Sequence, residues 1–180
     1  MTRIAKEESG QAMVELSVTA LVLCILIFGI VDFSRAIYDV QVMKNLAGEG
    51  SAMASRGTSA ITTTNTLVNS YTGSDLDMTH KGCVIVTVVT NNSGTLAITD
   101  QGYNCAIGTT SQIGCLLGVN GCRSSSATLP SAASTALTNE YNGSTLAVTE
   151  IYYNYSTITP ATALLGSGSV PTQFYSVAYY

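Results

Sequence analysis

Charged side chains are scarce in this chain, and they become scarcer toward its C-terminus. They make up 10% of all residues, and the stretch from Gly57 to the C-terminus holds only five acidic and two basic ones. Ser, Thr, Asn and Gly occupy most polar positions instead. Two basic residues cannot form the patch that contacts phosphates in nucleic-acid-binding proteins. The composition therefore argues against a nucleic-acid partner, and it is typical of one exported domain with a modest core.

The chain also lacks the residues of the common catalytic and cofactor sites. His80 is the only histidine, and a single histidine in a polar stretch is far more often a solvated side chain than a general base. The sequence has no GxSxG element, no phosphate-binding glycine loop and no CxxC pair. Asp75 and Asp77 are interpreted as loop and cap residues, because the other ligands of a calcium-binding loop are missing. We therefore expect no enzyme activity, no cofactor and no metal.

One long apolar run stands out against this polar background. Residues 16–31, LSVTALVLCILIFGIV, carry no charge, and together with residues 11–14 they approach the roughly 20 residues that a membrane-spanning helix needs. No small-x-small cleavage site of a secretory signal follows the run, so we expect it to remain as a membrane anchor. Arg3, Lys6 and the starting amine precede it. By the positive-inside rule, in which acidic residues count little, we place the N-terminus in the cytoplasm.

A carboxylate at the head of the apolar run predicts a processing and assembly site. Glu15 lies at the N-terminal edge of the run, where burial in lipid is costly without a positive partner. Cleavage after Gly10 would create such a partner, the new α-amino group of Gln11. The spacing therefore predicts cleavage between Gly10 and Gln11 and a role for Glu15 in assembly.

Helical spacing continues beyond the apolar run. Asp32, Arg35 and Asp39 can support one another on one face, and Gly57 after Arg56 is a predicted C-terminal stop. These spacings place seven residues on one stripe, which we expect to pack on the chain's own domain, on neighbouring subunits, or on both through different faces of the helix. Its members are small or apolar: Phe33, Ala36, Val40, Met43, Ala47, Gly50 and Ala54.

The cysteines predict two disulfides. Cys24 lies in the apolar run and is interpreted as a small apolar residue. The other four, an even set, are typical of two bridges in an oxidising compartment. Three connectivities exist and the sequence does not choose among them; our guess joins Cys115 to Cys122 across a short loop and leaves Cys83 with Cys105.

The coarse order of elements predicts an α+β fold, with a long N-terminal helix and an antiparallel sheet of about four strands. Three segments are expected: a leader over 1–10, an anchor and continuing helix over 11–56, and an exported domain over 57–180. Within that domain we predict a short helix (62–71), a hairpin (83–90 and 95–100), a disulfide-stapled loop region (101–127), a helix (130–141) and a second strand pair (146–155 and 170–180).

The N-terminal region resembles TadE-like proteins, the minor pseudopilins of tight-adherence (Flp, type IVc) pili. The resemblance rests on Gly10 with Val14-Glu15-Leu16, on FGIVDFSR at 28–35 and on NLAGEG at 45–50. The segment LAVTEIYYNYSTITP at 146–160 is similar to the family's C-terminal pattern of an alternating strand, paired tyrosines and a proline. Family members often have a proline in the membrane segment, and this chain has none there.

The resemblance implies a structural minor pilin or pseudopilin of the bacterial inner membrane that takes part in pilus assembly and surface adherence. The implied partners are a prepilin peptidase, other pilin and pseudopilin subunits, the inner-membrane assembly platform and the lipid bilayer. A priming subunit, a tip adhesin and an abundant filament subunit, the last two in the extracellular pilus, all remain open. The alternative is a membrane-anchored surface-binding domain that is neither cleaved nor built into a filament, and such a domain does not need Gly10 and Glu15.

Overall fold

The computed structural model of the chain describes residues 4–71, 76–115, 122–159 and 172–180, with side chains from Gly10 onward. Residues 1–3 of the expected leader, Asp75, and the start of the predicted last strand at Val170 lie outside the described residues. The described residues fall into two compact units, one within the ranges 1–38 and 156–171 and the other within 39–155 and 172–180.

The first helix, α1, covers Ile4–Ser55 without a break. It ends where the sequence predicts, because Gly57 adopts a positive φ of 91° that other residues rarely adopt. The Gly57 amide donates to the Ala54 carbonyl at 3.0 Å, and the Thr58 amide donates to the Met53 carbonyl at 3.3 Å. These two bonds form a Schellman cap, which satisfies carbonyls that the helix end leaves free.

The remaining elements alternate short helices with strands. In chain order they are α2 (Ala60–Ser70), α3 (Met78–Lys81), β1 (Gly82–Asn92), β2 (Thr95–Cys105), α4 (Ser131–Thr138), β3 (Thr145–Asn154) and β4 (Gln173–Tyr179). The predicted helix over 62–71 is confirmed as α2, whose N-cap is Ser59. The short helix α3 was not predicted.

The strands form one antiparallel sheet in the order β2-β1-β3-β4. Ser93 and Gly94 connect β1 to β2 with φ values of 52° and 88°. Positive φ at both central residues is the signature of a type I′ turn, which matches the twist of a hairpin. The α+β fold with a four-stranded antiparallel sheet is therefore confirmed.

The prediction of a loop from residue 101 onward is wrong at its start, because β2 continues to Cys105. The glycine, serine and cysteine content of this region suggested a loop, but contacts with β1 keep residues 101–105 in the strand. The buried Gln101 side chain donates to the Thr87 hydroxyl at 2.9 Å, and Cys105 lies opposite Cys83. The helix predicted over 130–141 is shorter, and Pro130 is its N-cap residue.

The sheet buries both faces within the second unit. On one face Val89, Ile98 and Val148 pack with Ile113 and with Leu137 of α4. On the other face α2 starts against Gly102, where a Cβ would lie 2.3 Å from the Ile61 nitrogen.

The C-terminal part of α1 joins the same face at Gly50. A Cβ there would lie 2.7 Å from Leu67 Cδ1 of α2 and 2.8 Å from Thr149 Oγ1 of β3. The predicted stripe is buried at Met43, Ala47, Gly50 and Ala54. Phe33, at the N-terminal end of the stripe, is 67% exposed, and there the packing against a neighbouring subunit stays a prediction.

Candidate functional site

The predicted cleavage site lies on an open stretch of α1. Gly10 and Gln11 are exposed, and apart from the chain neighbours and the helix's own backbone, no described heavy atom lies within 4 Å of the position that a Cβ on Gly10 would take. The Gln11 amide nitrogen Nε2 donates to Glu15 Oε1 at 3.3 Å. The structure therefore brings Gln11 and Glu15 together on one helix face, as expected for positions four residues apart.

The helix that follows Glu15 exposes apolar side chains all around its axis. Met13, Leu16, Leu21 and Ile30 are each more than 60% exposed. By length and composition, the stretch Gly10–Ser55 is the one helix among the described residues that could cross a membrane, with a mean hydropathy of 2.6 in its most apolar window. A helix that is apolar on every side needs lipid or other helices around it. It is therefore a candidate membrane anchor.

Asp32, at the end of the apolar run, binds a distant loop of the same unit. Its Oδ1 accepts the Ile158 amide at 3.2 Å and the Thr159 amide at 3.4 Å, and its Oδ2 accepts the Thr159 hydroxyl. The carboxylate is 7% exposed. Sequence reasoning assigned Asp32 to charge pairs on the helix surface, since nothing in the sequence links it to residues 126 positions away.

A second buried carboxylate, missed by sequence reasoning, lies in the middle of β3. Glu150 is fully buried. It accepts the Gln112 amide at 2.8 Å and the Ser111 hydroxyl, and the hydroxyls of Tyr152 and Tyr175 lie 3.3 and 3.2 Å from its Oε1. Buried charges are costly unless hydrogen bonds compensate them. Glu150 therefore links the loop at 111–112 and strand β4 to β3. In the sequence, an acid inside the otherwise apolar strand LAVTEIYY could have indicated this buried carboxylate.

The tyrosines around Glu150 are donors rather than acids or bases. Burial, together with the nearby charge of Glu150, raises the pKa of Tyr152 to about 12. Burial and Glu150 also raise the pKa of Tyr175. Both hydroxyls therefore stay protonated at neutral pH. The Tyr175 hydroxyl donates to Glu150 at 3.2 Å, and the Tyr152 hydroxyl lies 3.0 Å from the Thr110 carbonyl and 3.3 Å from Glu150 Oε1.

Both expected bridges are present in the structure. Cys83 and Cys105 are bonded between directly opposite positions of β1 and β2, with 3.9 Å between their Cα atoms. Cys115 and Cys122 are bonded with a Cα separation of 6.4 Å. Cys24 is a free, exposed thiol.

The lone histidine lies in a small helix-capping arrangement. His80 Nδ1 is 3.0 Å from Asp77 Oδ2, and Asp77 accepts the His80 amide as the N-cap of α3. The pKa of the Asp77 carboxyl is lowered, first by the hydrogen bond from Thr79 and then by that from His80. Across the described residues, no group of three or more His, Cys, Asp or Glu side chains could hold a metal ion.

The part of the sequence that contains these α1 residues matches a known protein family. Residues 10–51 match the family model of TadE-like proteins. The match confirms the resemblance over this region, which includes Gly10, Glu15, Asp32 and Gly50, and it associates the chain with the Tad pilus. No curated protein and no solved structure matches the chain.

Proposed function

We propose that this TadE-like chain is a structural minor pilin or pseudopilin of a Tad (Flp, type IVc) pilus. In this proposal it is made as a precursor in the bacterial inner membrane, with its N-terminus in the cytoplasm and its disulfide-bonded domain exported. A prepilin peptidase cuts it after Gly10, and it joins other pilin subunits through α1 at the assembly platform. The proposed role is structural and not catalytic.

One observation carries the proposal: an exposed Gly10–Gln11 peptide five residues before a carboxylate, at the head of a helix that is apolar all around. An uncleaved membrane anchor has no use for Glu15 at this position, where the carboxylate is costly in lipid. A cleaved subunit has a use for it. The new α-amine lies on the residue whose side chain already contacts Glu15, so the carboxylate can pair with that amine or with the amine of a neighbouring subunit.

The N-terminus of the membrane form tests this proposal. We expect intact-mass analysis of the protein from cells with the peptidase to give a chain beginning at Gln11. An additional loss of ammonia would show that Gln11 has cyclised, which would remove the positive charge. A mature chain that keeps Met1 to Gly10 in such cells would contradict the pseudopilin role and favour the uncleaved surface-binding domain.

The substitution Gly10→Val separates recognition by the peptidase from folding. Since a Cβ at Gly10 meets no atom within 4 Å, the variant should fold and enter the membrane as the parent does. We expect it to accumulate as the precursor, because a branched side chain now lies at the scissile bond. Thr19→Val, a branched apolar substitution on the exposed part of the same helix, serves as the control and should be cut normally.

A further inference from the structure

Among the described residues, strand β4 has an outer edge whose backbone groups have no backbone partner. The Tyr180 and Ala147 amides and carbonyls bond to each other at 2.9 and 3.0 Å, which fixes the alternation along the β3–β4 ladder. Ser176 and Ala178 therefore direct their backbone groups toward β3. Tyr175, Val177 and Tyr179 direct theirs outward, and within the described chain no backbone group bonds to them.

In the part of the chain that the structure describes, this edge lacks the charges, prolines and bulges that usually protect an edge strand. The sequence QFYSVAY has no charge and no proline, and its register with β3 is continuous without a bulge. The opposite edge of the sheet is partly covered, because Ser124 pairs with Ile98 of β2 and the Ala127 amide donates to the Leu96 carbonyl at 2.9 Å. An uncharged, regular edge is a template for another strand.

The edge sequence is complementary to itself. Residues 175–179 read Tyr-Ser-Val-Ala-Tyr, which has the same pattern of large and small side chains in both directions. An antiparallel copy centred on Val177 would place Val177 opposite Val177, Tyr175 opposite Tyr179, and Ser176 opposite Ala178. In this register the outward amides and carbonyls of both strands meet as hydrogen-bonded pairs.

Exposed tyrosines and an open depression lie beside this edge. A shallow depression of about 540 Å³ is lined by Tyr179 and Tyr180 and, on α4 and just after it, by Ala133, Ala136 and Glu140. Tyr175 and Tyr179 are 44% and 36% exposed, so their rings are available to a partner. Because β4 has no charged side chain, two copies would not repel each other along it.

From these observations we propose that β4 is a homodimerisation edge, on which β4 of a second copy pairs in antiparallel fashion and joins the two sheets into one. The pairing is isologous, so it closes after two copies and cannot propagate. Growth of a filament would therefore use other surfaces, such as α1. This pairing is independent of the cleavage and assembly proposed above.

Cysteine cross-linking of the full chain in membranes tests the pairing and its register. With Cys24→Ala as background, Val177→Cys places two thiols at directly opposite positions, about 5.5 Å apart between Cα atoms, within the range for a disulfide. We expect mild oxidation to double the apparent mass of this variant on a non-reducing gel, reversibly with reductant. Tyr179→Cys on the same strand and face should stay monomeric, because it lies opposite residue 175 of the partner.

Two outcomes would overturn the proposal. One is a Val177→Cys variant that stays monomeric or cross-links only to a different polypeptide; the other is equal dimer formation by Tyr179→Cys. Val177→Pro gives a second measurement on the otherwise unaltered chain, since it removes an outward amide and no bond to β3. We expect the parent to migrate as a dimer in detergent and Val177→Pro as a monomer, whereas a monomeric parent would also refute the pairing.

Discussion

At the residue scale, Glu15 is the side chain whose position is hardest to explain by folding alone. It is exposed on α1, and its described partner is the Gln11 side chain at 3.3 Å. A contact between two exposed groups contributes little to stability. Its placement next to the predicted new terminus therefore points to a role that begins after cleavage.

We predict that Glu15→Ala leaves cleavage and membrane insertion intact but blocks assembly. Removal of an acid from the edge of a membrane helix should ease insertion by at most about 2.5–3.5 kcal/mol, and by less near the interface. Assembly should fail, because it is the step at which the Glu15 carboxylate pairs with an α-amine. Ser17→Ala is a matched control, since the described partner of the Ser17 hydroxyl is the Val14 carbonyl of its own helix. Normal recovery of Glu15→Ala in sheared surface filaments would exclude the proposed pairing.

The tyrosines around Glu150 give a second prediction at this scale, on pH. Burial raises the pKa of Tyr152 from 10.0 to about 12 in the folded chain, so the folded state holds this proton more tightly than the unfolded state. The stability that this hydroxyl contributes is complete below pH 10 and is lost as pH rises toward 12.

Denaturant unfolding of the full chain in detergent, measured across this pH range, checks the prediction. The parent should lose stability steeply above pH 10, and Tyr152→Phe should lose less over the same interval. Tyr141→Phe is the control, because Tyr141 is 86% exposed, and its pH profile should match that of the parent. Identical profiles for the parent and Tyr152→Phe would contradict the assigned role.

At the element scale, α1 has different surroundings along its length. Its N-terminal part exposes apolar residues on all sides, whereas from Met43 onward one stripe is buried. Within NLAGEG the two glycines differ accordingly. Apart from the helix's own backbone and the chain neighbours, no described atom lies within 4 Å of the Cβ position of Gly48, but Gly50 lies directly against Leu67 and Thr149.

We predict opposite effects of alanine at these two glycines. Gly50→Ala adds a methyl group less than 3.0 Å from Leu67 Cδ1 and from Thr149 Oγ1, and overpacking of this kind costs about 1–3 kcal/mol. The gain in helix propensity, up to about 1 kcal/mol, offsets part of that cost. Gly48→Ala increases the helix propensity without the cost of overpacking. Denaturant unfolding should rank Gly48→Ala above the parent and Gly50→Ala below it, and the reverse order would refute close packing of α1 at Gly50.

At the scale of the whole molecule, the sequence predicted local features better than distant contacts. The long helix, its stop at Gly57 and the β1–β2 hairpin follow from periodicity and turn residues, which act over a few positions. The end of β2 at Cys105 was missed because the composition suggested a loop, whereas pairing with β1 extends the strand to Cys105. The partners of Asp32 and Glu150 were also missed, because Thr159 and Ser111 are remote from them in sequence.

The two bridges give the final prediction, because they are covalent links within the unit that contains the sheet. In the chain-entropy model, closing the loop between Cys83 and Cys105, 22 positions apart, is worth about 3 kcal/mol, and closing the loop between Cys115 and Cys122, 7 positions apart, about 2 kcal/mol. The pair Cys83→Ala with Cys105→Ala should therefore lower folding yield and stability more than the pair Cys115→Ala with Cys122→Ala.

Cys24→Ala is the matched control and should behave as the parent, because Cys24 is free and exposed on α1. Unfolding of the full chain in detergent gives the ranking, and non-reducing peptide mapping of protein from its native compartment gives the pairing. Four free thiols at positions 83, 105, 115 and 122 in that protein would contradict both the ranking and the export of this domain, since structural disulfides persist in oxidising compartments and are rare in the cytosol.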